Sequence, residues 1–146
     1  MEIYNRKARH DYFIVDEYEC GIVLKGTEIK SIRDNGCIIA DSYGNIRRGE
    51  LFVLNMFIGL YKEGNIFNHE ETRTRKLLMH KKEIVKLEEK IKLEGYTLIP
   101  LKVYLKKNKV KVLLGLCKGK KDYDKRESIK ERDIKRQLDK VSKAAY

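Results

Sequence analysis

The sequence has no tryptophan, one proline, 3 histidines and 3 cysteines in 146 residues. Cys20, Cys37 and Cys117 form no C-x-x-C pair and stand in no Cys/His cluster at zinc-ligand spacing, which argues against structural zinc and against a disulfide framework. In a reducing compartment they read as free thiols acting as small buried hydrophobes. No apolar run approaches the roughly 20 residues of a membrane span, and the first eleven residues lack the apolar stretch of a signal peptide, so the chain is expected in the cytoplasm. Internal repeats and low-complexity tracts are absent as well.

Positive charge is abundant. Lys and Arg number 33 against 22 Asp and Glu, a formal charge of +11, while 42% of residues are hydrophobic. That length and apolar content suit a single domain with one core. The excess of cations calls for an anionic partner, and without a membrane segment nucleic acid is favoured over lipid.

From Tyr12 to Lys118 the pattern is mostly that of short strands separated by Gly, Asn and Asp. Leu51 to Ile58 is apolar at nearly every position and predicts a deeply placed strand. Ile99, Leu101, Val103 and Leu105 alternate with Lys102, Tyr104 and Lys106. Val110, Val112, Leu114 and Leu116 repeat the scheme, and Lys107-Asn108 between the two runs suits a tight hairpin. Between Met79 and Gly95 the period changes: Ile84, Leu87 and Ile91 fall on one stripe of an amphipathic helix, stopped by Gly95 and supported by pairing of Glu88 and Glu89 with Lys92. A shorter helix is predicted from Thr27, as N-cap, to Asn35-Gly36. Many short strands with inserted helices predict a mainly β fold, a small closed barrel of the oligonucleotide-binding kind.

The barrel is assigned to residues 1–118 and a basic tail to residues 119–146. Residues 118–146 hold 11 Lys and Arg against 6 Asp and Glu, too few apolar groups for a core of their own. Ile134, Leu138 and Val141 nevertheless share one helical stripe, so the tail is expected to fold against a partner. Its opening, GKKDYDKR, offers cations, flexible Gly119 backbone and the Tyr123 ring, a combination suited to RNA.

The blocks NRKARHDYF, KGTEIKSIRDNG, IADSY, GNIFNHEETRTRKLLMHKKEI and EGYTLIPLKVYLKKNKVKVLLGLCKGKKDYDKR together resemble the bacterial SsrA-binding protein (small protein B) family, in the right order from Asn5 to about Lys135. The resemblance implies an oligonucleotide-binding barrel that binds transfer-messenger RNA and accompanies it to stalled ribosomes in trans-translation, as a monomer, without a cofactor or catalysis of its own, and reaching elongation factor Tu only through the RNA. It implies RNA contact for Glu19 in EYECG and for Leu78 and His80 in RKLLMH. From the residues alone, Glu19 reads equally as a solvated strand residue, Leu78 as core and His80 as a helix cap. Asn5, Arg6, Lys7, Arg9, Arg73, Arg75 and Lys76 are suited to neutralising phosphate.

For the tail, the resemblance implies a helix in the message channel and decoding centre of the ribosome. Asp124, Lys125 and Arg126 match the family's DKR motif, Tyr123 takes the place of its stacking ring, and Gly119, Lys120 and Lys121 lead into it. Two other functional classes share some of these features. A nuclease built on His10, Asp11, Asp16, Glu17 and Glu19 fits no metal or triad spacing. A general ribosomal or initiation-type barrel shares the charge and fold but not the DKR tail.

Overall fold

The computed structural model describes residues 1–63 and 68–121. Tyr123, Asp124, Lys125, Arg126, Ile134, Leu138 and Val141 lie outside the described residues. Among the described residues seven strands and three helices follow in the order β1 (Glu2–Tyr4), α1 (Arg6–Asp11), β2 (Tyr12–Ile22), α2 (Gly26–Asn35), β3 (Tyr43–Arg47), β4 (Glu50–Leu54), β5 (Arg75–Leu78), α3 (Lys81–Glu94), β6 (Thr97–Lys106) and β7 (Lys109–Gly119). All named strand pairings are antiparallel, in the order β1-β6-β3-β4-β5-β2-β7, and β7 returns to pair with β6. That last pairing closes the ring β6-β3-β4-β5-β2-β7 into a barrel, with β1 added to the free edge of β6. The mainly β barrel with inserted helices is the fold the sequence calls for.

The hairpin forms as expected: Lys107 and Asn108 both take positive φ, 51° and 64°, between the paired Lys106 and Lys109. So does α3, with Ile84 and Leu87 buried, Ile91 packed beside them, a Glu88–Lys92 pair at 3.1 Å and left-handed Gly95 at its end. The remaining N-terminal elements, β1 and α1, carry no periodic apolar stripe and are held by tertiary contact: Asn5 caps α1, and Ala8 packs with Ile99, Leu101 and Cys117.

Three expectations are corrected. The apolar run 51–58 is not one strand. β4 stops at Leu54 because Asn55 turns left-handed at φ 60°, and the change of phase sends Met56 and Ile58 inward after Leu51 and Val53. Nor do Ile99, Leu101, Val103 and Leu105 share one side. A bulge between Pro100 and Lys102 switches the strand, so Ile99 and Leu101 pack under α1 while Val103 joins the barrel core. Thr27, finally, is not the N-cap of α2. Lys25 holds that position, its backbone N–H donating to Glu28 Oε1 at 2.8 Å, and the Thr27 hydroxyl meets His69 Nδ1 at 2.9 Å instead.

Glu28 is the centre of a buried ionic cluster. Its side chain is fully buried; Oε1 accepts from Arg73 at 2.6 Å and Oε2 from Arg75 Nε. Arg75 is buried too, donating to Met56 O at 2.5 Å and Glu71 O at 3.1 Å. Burial pushes the Glu28 carboxyl up, but the bonds from Arg73, the Lys25 N–H and Arg75 outweigh it and hold the group below its ordinary value. All three thiols are free; Cys20 and Cys117 are buried as expected and Cys37 is half-buried, and burial raises Cys20 and Cys37 to about 12 and Cys117 to about 11.

Because the buried Glu28 would keep only Arg73 as a cationic partner, and Met56 O and Glu71 O would each lose a donor, Arg75→Ala should lower the unfolding free energy by ~3–5 kcal/mol in urea denaturation. A lowered folded-state pKa means this carboxylate stabilises the fold above the ordinary value of 4.5 and loses that contribution as pH falls through the lowered value. Stability of Glu28→Gln should therefore fall less steeply on acidification below 4.5 than that of the parent chain.

Candidate nucleic-acid interface

In a strand, alternate residues point to opposite faces, so the inward Cys20, Leu77, Val103, Val112 and Leu114 fix which of their neighbours point outward. The register then lines those neighbours up across the barrel wall. Leu78 on β5 pairs with Gly21 on β2, Gly21 with Lys111 on β7, Lys111 with Tyr104 on β6 and Tyr104 with Glu2 on β1. One step along, Glu19 pairs with Leu113, Leu113 with Lys102 and Lys102 with Tyr4. The result is one outer face with apolar and aromatic groups, several lysines and an acid near its middle.

Gly21 shapes this face. A Cβ there would lie 3.2 Å from the Leu78 Cβ, so the missing side chain lets Leu78 lie against β2 while remaining 51% exposed. Beside it lies a cleft of about 440 Å³, lined by Val23, Ile29 and Leu78 and rimmed by Arg33, Lys109 and Lys111. An apolar floor with cations at the edge can hold a flat ring while the phosphates that flank it are neutralised.

The acid is held firmly. Glu19 Oε2 accepts from the Tyr104 hydroxyl at 2.5 Å, and Lys106 Nζ approaches both carboxylate oxygens at 3.3 and 3.5 Å. The Tyr104 bond first, then Lys106, keeps the Glu19 carboxyl below its usual range. Burial, with Glu19 alongside, pushes the Tyr104 phenol up to about 12. Lys102 stands over two rings, 5.2 Å from the Tyr4 centroid and 5.0 Å from that of Tyr104, and pairs with Glu2 at 3.1 Å.

Of the residues expected to meet RNA, the fold brings Glu19, Lys76, Leu78 and His80 together. Leu78 and Lys76 are exposed on β5, and exposed His80 follows at the N-cap position of α3, where its side chain makes no capping bond. Arg6, Lys7 and Arg9 stand apart on α1, at the start of β2 and not its end. They are exposed, Lys7 pairing with Asp41 at 3.1 Å and Arg9 reaching Glu17 at 4.0 Å.

Two expected phosphate ligands, Asn5 and Arg75, are corrected by burial, while Arg73 is only half-buried and already engaged. Asn5 is interior, donating to Ile39 O and Pro100 O at 3.1 and 2.9 Å while its Oδ1 caps α1. Arg75 has no exposed surface, and Arg73 turns its guanidinium to Glu28. At the tail's root, β7 runs through Gly119; the Lys120 N–H donates to Asp11 O at 2.9 Å and its ammonium lies 5.0 Å from the Phe13 ring centroid, while Lys121 is exposed. Tyr4, Lys102, Tyr104, Lys106 and Lys111 were not expected at the site. The alternation of β6 marks Lys102, Tyr104 and Lys106 as outward, but only the cross-strand register sets them beside Glu19.

The SmpB protein family model matches residues 2–144. The chain belongs to the SmpB family. It is 57% identical over 142 residues to the SsrA-binding protein of Staphylococcus epidermidis, covering 97% of this chain and 91% of that one. It is 55% identical over 139 residues to that of Enterococcus hirae, covering 95% and 90%. A chain from a solved structure described as "tmRNA-SmpB: a journey to the center of the bacterial ribosome" superposes with a TM-score of 0.69 at 45% identity, over 83% of this chain and 85% of that chain. Among the described residues no helix is long and apolar enough to cross a membrane, and no group of three or more His, Cys, Asp and Glu could hold a metal ion.

Widening Gly21 should disturb the face locally. Gly21→Val is expected to shift the Leu78 methyl resonances and lower the unfolding free energy by ~1–3 kcal/mol, as overpacking does. Lys111→Ala, at an outward position, should change stability by no more than about 0.5 kcal/mol.

Proposed function

We propose that this chain binds transfer-messenger RNA and delivers it to stalled ribosomes for trans-translation, acting as an RNA-binding protein without catalysis in the bacterial cytoplasm. Membership of the SmpB family, with a homologous chain known in a transfer-messenger RNA and ribosome structure, carries the reading. The outer face of β5, β2, β7, β6 and β1 gives it a physical basis. Exposed Lys76 and Lys106 and half-buried Lys111 neutralise phosphate and release counterions, while Leu78, the cleft beside it and the tyrosines offer surfaces to unstacked bases. Glu19 accepts from base amino groups or 2′-hydroxyls where phosphates turn away, and His80 borders the same face. Elongation factor Tu meets the complex through the RNA.

Arg6, Lys7 and Arg9, displaced onto α1, form a second basic edge beside the root of the tail. The body ends where Lys120 is pinned to α1 and β2, and residues 122–146 act as the ribosome-directed segment, with Tyr123 and the Asp124-Lys125-Arg126 motif entering the decoding centre and the Ile134, Leu138 and Val141 stripe following along the message channel.

Removing residues 122–146 should leave affinity for transfer-messenger RNA within about twofold of the full chain and abolish tagging of stalled nascent chains in a reconstituted translation reaction. Tagging that persists would contradict the role given to the tail. Affinity of the body should fall steeply with salt, with a slope reduced by about 1 for each phosphate-contacting lysine replaced.

A further inference from the structure

We propose that Tyr104 is a positioning residue for RNA recognition, fixing the Glu19 carboxylate as an acceptor aimed at a base amino group or 2′-hydroxyl of an unpaired nucleotide. The inference rests on the reading of Glu19 as an RNA contact and names what makes that contact selective.

An exposed glutamate is a poor recognition element on its own, because its side chain samples several rotamers and its charge repels phosphate. Here both faults are corrected by neighbours on β6. The phenol of Tyr104 donates to Glu19 Oε2 at 2.5 Å, across more than eighty residues of sequence, and Lys106 offsets the charge from 3.3 Å. Tyr104 is itself constrained: it lies between Lys111 and Glu2 in the ladder, and the Lys102 ammonium sits 5.0 Å from its ring centroid. A carboxylate has about four lone-pair positions, of which Tyr104 takes one and Lys106 shares others, so acceptor capacity remains for a ligand. The ionised state is favoured by the same two partners. The chemistry selects a neutral donor such as an exocyclic amine or ribose hydroxyl and disfavours phosphate, which accepts but does not donate.

The proposal separates Tyr104 from a merely structural tyrosine. Removing its hydroxyl as Tyr104→Phe keeps the ring, the Lys102 contact and the strand, and should leave the melting temperature within a degree or two of the parent, because the bond lost lies at the surface. Binding of the full chain to transfer-messenger RNA should nonetheless weaken by about threefold to tenfold, the scale of an ordinary hydrogen bond's net contribution. Glu19→Gln should weaken binding at least as much, and the double variant should bind no worse than Glu19→Gln alone, because the hydroxyl acts only through the carboxylate. In the free protein, Tyr104→Phe should also move the Glu19 carboxyl titration, followed by NMR, up toward the ordinary range.

Additive losses in the double variant, or a Tyr104→Phe protein that binds like the parent while Glu19→Gln binds weakly, would overturn the positioning role and leave Glu19 as an RNA contact. A Glu19→Gln protein that binds like the parent would overturn both.

Discussion

A carboxylate with no solvent access, shared by two guanidinium groups, ties β5 and the outer wall it belongs to into the rest of the molecule. Glu28 enters from the first turn of α2, Arg75 opens β5, and Arg75 also bonds the backbone at Met56 and Glu71. β5 has only four residues, with three register pairs to β4 and two to β2. So short a strand gains little from its ladder alone. The ionic cluster fixes its start, and with the start fixed, the strict alternation of Arg75, Lys76, Leu77 and Leu78 sends Lys76 and Leu78 outward. Burying such charges costs desolvation that apolar side chains would not incur, and what the cluster secures in return is a single placement of β5, from which Leu78 and His80 project.

On the proposed reading, the face so built combines two modes of recognition in different places. Lysines around its edge act through charge, at long range and without regard to sequence. Glu19 acts only at contact, where a donor can reach it. Lys106 keeps the acid from opposing the general attraction for RNA, and Tyr104 keeps it in one orientation, so the net field stays positive while a local acceptor remains. Leu78, resting on the side-chain-free Gly21, gives the same wall a low apolar ledge beside the basic-rimmed cleft.

Much of this architecture was legible in the chain. The Lys107-Asn108 turn, the α3 stripe of Ile84, Leu87 and Ile91, and the alternation around Lys102, Tyr104 and Lys106 depend on local periodicity, which sequence records directly. What escaped depended on single residues acting over distance. Asn55 and the bulge at Leu101 each reverse the inward side of a run that reads as continuous. Asn5, Arg73 and Arg75 look like members of basic, solvated clusters, yet their partners, Ile39, Pro100 and Glu28, lie 34 or more positions away and nothing in their own neighbourhood announces those bonds. The SsrA-binding resemblance named Glu19, Leu78 and His80 but could not supply Tyr104, whose relation to Glu19 exists only in the folded register.

On the proposed reading, one outer wall of the barrel receives the RNA. That placement is tested most directly by putting a photoreactive benzoylphenylalanine at Leu113, between Glu19 and Lys102 in the ladder, or at Leu93, which is 82% exposed on α3, and irradiating each full chain with transfer-messenger RNA alone. Crosslinking from position 113 and little from 93 is the result this account requires. Strong crosslinking from 93 with none from 113 would put the RNA on a different surface.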